Sequence, residues 1–440
     1  MNKQPELSEK LYDALAEDED TRVCKDIPES ACNDQPQAFL YHLLALTLTK
    51  LGDSLVSARL VLPWLLSSLG APGAFIAALV PLRESLALLP QLFVAQQMRQ
   101  QPVRKWFWVA GSIGQAAALV LMVVAVLSLT GAALGWLIIG ALILFSLARG
   151  VCSVAIKDVQ GKTVSKTRRG RLSGLAAASA GLLSVIVALA VILVPRFTEV
   201  SGDALLFVAL LGSAACLWAI AAGVYARVPE VPGATSGGGN GIVEALKSLR
   251  LVYTDKQFGK FVLTRALLVS SAFAIPYLVV IVERSGDGAL TSLGSMMLAS
   301  GLAGLLAGRF WGKWSDKASH HVMAAAALLS VLVMVAGLSL YLFATQWLAQ
   351  SAIAALLIFV AAVAHQGARV GRKTYLIDMA DQDNRAQLTA VSNTLIGLVL
   401  LSGILLGTLE QLAGVEAVLG ILIAAGLLAA LRALRLPQVT

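Results

Sequence analysis

Four charged side chains lie inside stretches otherwise apolar enough to cross a membrane. Lys50 and Asp53 fall within the apolar run 38–61, three residues apart and therefore on one face of a helix. Arg83 and Glu84 fall within the run 72–95. Neighbouring helical positions point about 100° apart, so these two face different ways. A charge near the bilayer centre costs several kcal/mol unless it faces a cavity or a partner. Two readings follow. In one, Asp53 or Glu84 takes up a proton while Lys50 or Arg83 contacts a substrate. In the other, the four neutralise each other and lock two antiparallel helices together. A buried charge network is often no more stable than an apolar replacement, which favours the first reading. Arg265 and His365, each inside a later apolar run, are further candidates, and imidazole titrates near neutral pH. Arg59, near the outer end of the first run, either snorkels to the interface or meets substrate.

A pattern occurs twice, half the chain apart. The first copy runs Ala148-Arg149, Asp158, Arg169-Gly170-Arg171-Leu172-Ser173-Gly174 and Gly181-Leu182. The second runs Ala368-Arg369, Asp378, Arg385-Ala386-Gln387-Leu388-Thr389-Ala390 and Gly397-Leu398. Arg to Asp is nine positions in each copy. A looser match relates Leu48-Thr49-Lys50 before Pro63-Trp64-Leu65 to Leu263-Thr264-Arg265 before Pro276-Tyr277-Leu278. Each half therefore repeats a whole bundle, and an even number of crossings per half gives two parallel bundles.

These residues must be positioned by membrane helices. Of the 440 residues 58% are hydrophobic and only 14% charged, against about 25% charged in a soluble domain. Apolar runs of about 20 residues cross a hydrocarbon layer of about 30 Å. The runs predict an all-α membrane protein with twelve transmembrane helices in two six-helix bundles. The first six lie near 38–61, 72–95, 106–129, 133–156, 172–195 and 203–226. The second six lie near 258–281, 289–312, 321–345, 349–372, 387–410 and 414–434. Residues 1–37 form an acidic tail without the features of a cleavable signal peptide. The expected divisions are this tail, bundles at 38–226 and 258–435, and a linker at 227–257 with an amphipathic helix over Ile242 to Tyr253.

Basic residues cluster on one side. Arg99, Arg104, Lys105, Lys162, Lys166, Arg168, Arg169, Arg171, Lys247, Arg250, Lys256, Lys313, Lys317, Arg372, Lys373 and Arg385 all fall in loops of one side, while the opposite loops hold little beyond Arg196 and Arg284. This bias puts both termini in the cytoplasm and the protein in the inner membrane. It also accounts for the net charge of +8, so no nucleic-acid partner is implied. The four cysteines lack metal spacing and read as free thiols. Gly161-Lys162-Thr163 is not a phosphate-binding loop, because Ile156 stands where its first glycine is required. Gly304, Gly308 and Gly312 form a small-residue stripe expected to pack against a neighbouring helix.

Gly312-Lys313-Trp314-Ser315-Asp316-Lys317, at the junction of the eighth and ninth helices, resembles the G-x-x-x-D-[R/K] signature of the major facilitator superfamily. The equivalent first-half stretch, Ala95-Gln96-Gln97-Met98-Arg99, lacks the glycine and reverses the charge, although Arg104-Lys105 keep the basic end. Ala148-Arg149-Gly150 resembles the family's fourth-helix arginine motif, and Arg168-Arg169-Gly170-Arg171 its loop before the fifth helix. The resemblance covers residues 38 to 435. It implies alternating access, with ion pairs at the loop motifs separating as the bundles rock. Asp316, Asp378 and Arg385 take that gating role by resemblance, with Gly312, Lys317 and Arg369, and Arg149 is expected to work with Asp158.

Together these features point to a secondary active transporter for a small anionic or zwitterionic organic solute, coupled to protons. A monomer in contact with membrane lipids, with no cofactor, metal or enzymatic activity, is expected. Two alternatives stay open: a non-transporting receptor or assembly factor on the same fold, and a lipid-moving transporter.

Overall fold

The computed structural model describes Tyr12 and residues 29–89, 91, 94, 97, 98, 100–193, 203–233, 235, 249–286, 290–380 and 385–439. The acidic tail up to residue 28 apart from Tyr12, and the expected linker helix up to residue 248, lie outside this set. So do the side chains of Asp316 and Arg385.

Described residues form helices and short connections. The first half contains α1 (Gln35–Leu55), α2 (Val61–Ser68), α3 (Gly73–Leu88), α4 (Lys105–Ser128), α5 (Gly131–Thr163), α6 (Lys166–Leu193) and α7 (Asp203–Tyr225). The second contains α8 (Lys256–Leu267), α9 (Ser270–Ser285), α10 (Leu290–Phe343), α11 (Ser351–Met379), α12 (Arg385–Ser402) and α13 (Leu405–Leu434). Among the described residues, nine stretches are long and apolar enough to cross a membrane. α8 and α9 together make one of these nine, and α10 supplies two, Thr291–Ser315 and Lys317–Phe343, divided where Ala318 leaves helical geometry (φ −160°, ψ 78°). Outside the nine, α1 and α2 form an interrupted crossing. α13 is divided at Gly414 (φ 81°, ψ 169°), a left-handed turn that glycine adopts without a Cβ clash. The first part of α13 therefore completes the α12 crossing. With α3, whose C-terminal continuation is only partly described, the chain follows the expected twelve-crossing order.

The interruption after Leu55 has a local cause. Pro63 lacks an amide hydrogen, and its ring would clash with the carbonyl four residues earlier, at Arg59. The helix stops before that position and restarts at Val61, two residues ahead of the proline. The sequence-based expectation of one continuous helix over 38–61 is corrected accordingly: Arg59 lies in a mid-crossing break, away from an outer end. The related crossing of the second half also breaks, at Leu268 and Val269.

Contacts between halves run from mid-bundle towards one end. Ser85 donates to the carbonyl of Gly397 (2.8 Å), and Ser67 donates to the carboxylate of Glu283. α6 and α10 approach closely at Gly294, where an added Cβ would lie 2.7 Å from Ile192, and at Gly181, where it would lie 2.7 Å from Leu305. Further along α10, Cβ atoms at Gly304, Gly308 and Gly312 would meet nothing within 4 Å. The small-residue stripe is thus open where packing was expected. Cys32 is disulfide-bonded, against the expectation of a free thiol, while Cys152 and Cys216 are free.

Within the first half, α4 and α5 cross at Gly111. A methyl there would lie 2.6 Å from Cys152 Sγ and 2.8 Å from the Ala148 carbonyl oxygen. Gly111→Ala is expected to lower stability by about 1–3 kcal/mol, because backbone on one side cannot yield. Gly140→Ala, with no atom within 4 Å of the new methyl, should be neutral or stabilising. Thermal unfolding of the two variants in detergent checks this, and equal melting temperatures would refute the close-crossing account.

Candidate functional site

The break after α1 opens onto a cavity between the two halves, whereas Leu268 and Val269 are buried away from it. Its main lobe, about 440 Å³, is lined by Lys50, Asp53, Arg59, Arg83, Glu84, Gln91, Arg149, Arg369 and Arg372 together with smaller residues. A second lobe of about 360 Å³ shares Lys50, Asp53, Arg59 and Arg369 and extends between α6 and α10 past Ala177, Gly181, Ser184, Gly301 and Gly304. A third, about 100 Å³, reaches His365. The main lobe therefore carries six cationic side chains against two carboxylates.

Each carboxylate is engaged by guanidinium groups. Asp53 receives Arg83 Nη2 at Oδ1 (3.0 Å) and Arg149 Nη2 at Oδ2 (2.8 Å). Glu84 Oε1 receives Arg59 Nη2 at 2.5 Å. The guanidinium of Arg83 also lies 4.7 Å from the Phe145 ring centroid, and that of Arg149 5.4 Å from Trp218. Phe145 and Trp218 are themselves packed edge to face at 6.0 Å, which fixes both platforms. Cation–π contact holds an arginine in place while leaving most of its donors free. Gln91 is anchored to the Ala87 carbonyl and to Ser153 Oγ.

Lys50, Arg369 and Arg372 differ. Among the described residues no carboxylate lies within 4 Å of any of them, although all three line the main lobe. Lys50 belongs to the first half, whereas Arg369 and Arg372 sit one turn apart on α11.

The expected Lys50–Asp53–Arg83–Glu84 network forms in part. Asp53 and Arg83 do pair, but Glu84 is held by Arg59, and Lys50 has no acid partner in the described set. Arg59, left by the sequence between the membrane interface and the substrate, lines the main lobe at the break after α1. Arg265 does not line the cavity. It donates from Nη1 to Ser392 Oγ (2.6 Å) and from Nη2 to Asn393 Oδ1 (2.8 Å), tying α8 to α12. His365 is buried at the edge of the smallest lobe, with Nδ1 3.3 Å from Ser271 Oγ.

The duplicated motifs also divide. Arg149 does not meet Asp158, because nine residues of helix separate them by about 13 Å. Arg149 faces the cavity, and Asp158 sits at the far end of α5. There it pairs with Arg104 and with Lys162 Nζ (3.0 Å). Lys162 also reaches Glu230 (3.0 Å), whose buried carboxylate accepts from the amides of Arg104 (2.9 Å) and Lys105 (2.7 Å). The basic end of the degenerate first-half motif is thus held by acids from α5 and from the strand of chain after α7. Arg369, the repeat partner of Arg149, faces the cavity too, and Asp378 is exposed at the end of α11. Lys317 is exposed beside the Ala318 break. Arg372, assigned to a loop by its position in the sequence, lies on the cavity wall. The signal for it was its three-residue spacing from Arg369. Among the described residues no cluster of three or more His, Cys, Asp or Glu side chains could hold a metal.

The sequence matches the Major Facilitator Superfamily profile over residues 43–403. No curated protein matches it significantly. Among solved structures it resembles a mutant of the nucleoside transporter NupG at 14% identity and a TM-score of 0.67, covering 92% of this chain and 100% of that one. It resembles a POT family transporter in complex with 5-aminolevulinic acid at 11% identity and a TM-score of 0.68, covering 89% and 94%. A D-xylose-proton symporter aligns at 15% identity and a TM-score of 0.66, covering 91% and 98%. Identities this low establish the shared fold and leave the cargo open. With the profile matched along most of its length and the same helical arrangement in these structures, the chain belongs to the major facilitator superfamily.

Proposed function

We propose that this protein is a secondary active transporter of the inner membrane that moves a small organic anion by alternating access between its two halves. The observation that carries this reading is the cavity between the halves, with six cationic side chains against two carboxylates. A zwitterion remains compatible with Asp53 and Glu84, but the surplus of positive charge favours an anion. Both termini lie on the cytoplasmic side, following the basic-loop bias. The protein acts as a monomer embedded in lipid and carries out no covalent step.

Coupling follows from the ion pairs. An anion entering the cavity competes with Asp53 or Glu84 for Arg83, Arg149 or Arg59. A carboxylate released from its arginine then takes up a proton, so anion and proton load together. Contacts between the halves, such as Ser67 with Glu283 and Ser85 with Gly397, favour closure at the end opposite the basic loops. The open flank of α10 at Gly308 and Gly312 favours access from the basic end. Asp316, Asp378, Arg385 and Lys317 would close that end in the alternate state. One observation favours a lipid-moving variant of this reading: the second lobe, walled by small residues of α6 and α10, would admit an apolar tail.

In proteoliposomes, an imposed proton gradient is expected to drive accumulation of a labelled organic anion. Glu84→Gln or Asp53→Asn should abolish gradient-driven accumulation, and at least one of them should retain anion exchange at equal pH. Full gradient-driven uptake by both variants would refute coupling through these acids. A non-transporting receptor predicts no flux in the wild type, with the joint Lys50→Gln and Asp53→Asn replacement tolerated. Cysteines at 67 and 283 in a variant lacking the other cysteines should cross-link, since the native side chains are in hydrogen-bond contact. The cross-linked protein should lose transport and regain it on reduction. Unchanged flux after complete cross-linking would refute alternating access at this end.

A further inference from the structure

Charge and position at the cavity narrow the cargo further than its sign. Three of the six cations are occupied: Arg83 and Arg149 share Asp53, and Arg59 holds Glu84. The other three, Lys50, Arg369 and Arg372, have no carboxylate within 4 Å among the described residues and feel Asp53 or Glu84 only at longer range. They stand on opposite sides of the junction, Lys50 on α1 and the two arginines one turn apart on α11. Lys50 lies within electrostatic reach of Arg149 and Arg369 as well as of Asp53, and Arg369 within reach of Arg59 and Arg149 as well as of Glu84, so each feels more cations than acids. Three cations without a directly bonded acid, in a cavity within the membrane, are costly unless water or a ligand answers them.

A monoanion would satisfy one side of this junction and leave the other charged. Two negative charges on one small molecule can engage Lys50 and the Arg369–Arg372 pair together. Guanidinium groups prefer carboxylate or phosphate oxygens in bidentate geometry, and an ammonium supplies a point charge. Such a ligand also connects the halves, so its binding energy favours their closure around it. The main lobe of about 440 Å³ sets the size, that of a compact metabolite.

We infer that the cargo is an organic dianion, a dicarboxylate or a phosphate monoester, which bridges Lys50 of the first half to Arg369 and Arg372 of the second. This rests on the anion-transport reading above and specifies the site's charge requirement. The ion-paired arginines Arg59, Arg83 and Arg149 position and exchange with the acids. The three unpaired cations supply the net charge that the ligand must match.

The test compares ligands of matched size by thermal shift of the full-length protein in detergent at pH 7.5. Butyrate carries one charge and succinate two on the same carbon count. Glycerol 3-phosphate carries two on a single head, since a phosphate monoester has its second pKa at about 6. At least one of succinate and glycerol 3-phosphate should bind about tenfold or more tightly than butyrate, because one additional charge-assisted contact is worth at least that factor. A response to succinate alone supports separated carboxylates, and a response to glycerol 3-phosphate alone supports a single phosphate head. Lys50→Gln and Arg372→Gln should each abolish the dianion shift while the unliganded melting temperature stays constant or rises, since each removes a repelled charge. That rise separates a ligand-binding role from a structural one, for which the melting temperature would fall. Butyrate binding as tightly as both dianions would overturn the dianion inference and leave anion transport standing. An undiminished dianion shift in both variants would overturn the bridging assignment. Absence of any anion response in the wild type would overturn the anion reading itself.

Discussion

A cation within a bilayer must be neutralised or must face water, and six of them converge where the two halves of this protein meet. Much of the central architecture answers that constraint. Asp53 is shared by two arginines from two other helices, so one carboxylate ties together α1, α3 and α5. Glu84 and Arg59 add a second link between α3 and the break after α1. Aromatic platforms at Phe145 and Trp218 hold two of the guanidinium groups without neutralising them. The charge left over is concentrated on Lys50 and α11. A cavity at the junction gives this surplus access to solvent or ligand, and it is also what a charged solute would enter.

Backbone chemistry places these groups. Pro63 disfavours a helical path through Arg59, and the first crossing breaks there between α1 and α2. Unwound backbone at this depth is tolerated only where it is covered by protein or lines a cavity, and here it lines one. The related crossing of the second half breaks at Leu268 and Val269, and its arginine has a different fate: Arg265 is bonded to Ser392 and Asn393 within its own half. The two halves thus share a plan and divide the work. The first half supplies the acids and the arginines that hold them, and the second supplies the unpaired guanidinium groups.

The long helices explain why the duplicated Arg and Asp have separate roles. α5 has 33 residues, about 50 Å, and exceeds the hydrocarbon thickness by roughly 20 Å. Arg149 remains at cavity depth while Asp158 emerges at the basic end, where Arg104, Lys162 and Glu230 form a compact charged cluster. Glu230 caps the start of α4 by accepting from two of its first amides. This joins the chain after α7 to the loop before α4.

The sequence by itself determined the class of fold, because apolar length, turn punctuation and a half-chain repeat are local or periodic properties that survive without coordinates. It also located Lys50, Asp53, Arg83 and Glu84, since a charge inside an apolar run is conspicuous wherever the helix lies. Partner choice was decided only by the tertiary structure. Pairing depends on which helices are neighbours, on their relative depth and on a break that a proline causes four residues upstream. Glu84 therefore met Arg59 where Lys50 and Asp53 were the expected company. Arg149, Arg369 and Arg372 line the cavity, and Arg265 does not. Periodicity reports the face of a helix a residue occupies, whereas the residue across the gap is set by how the helices pack.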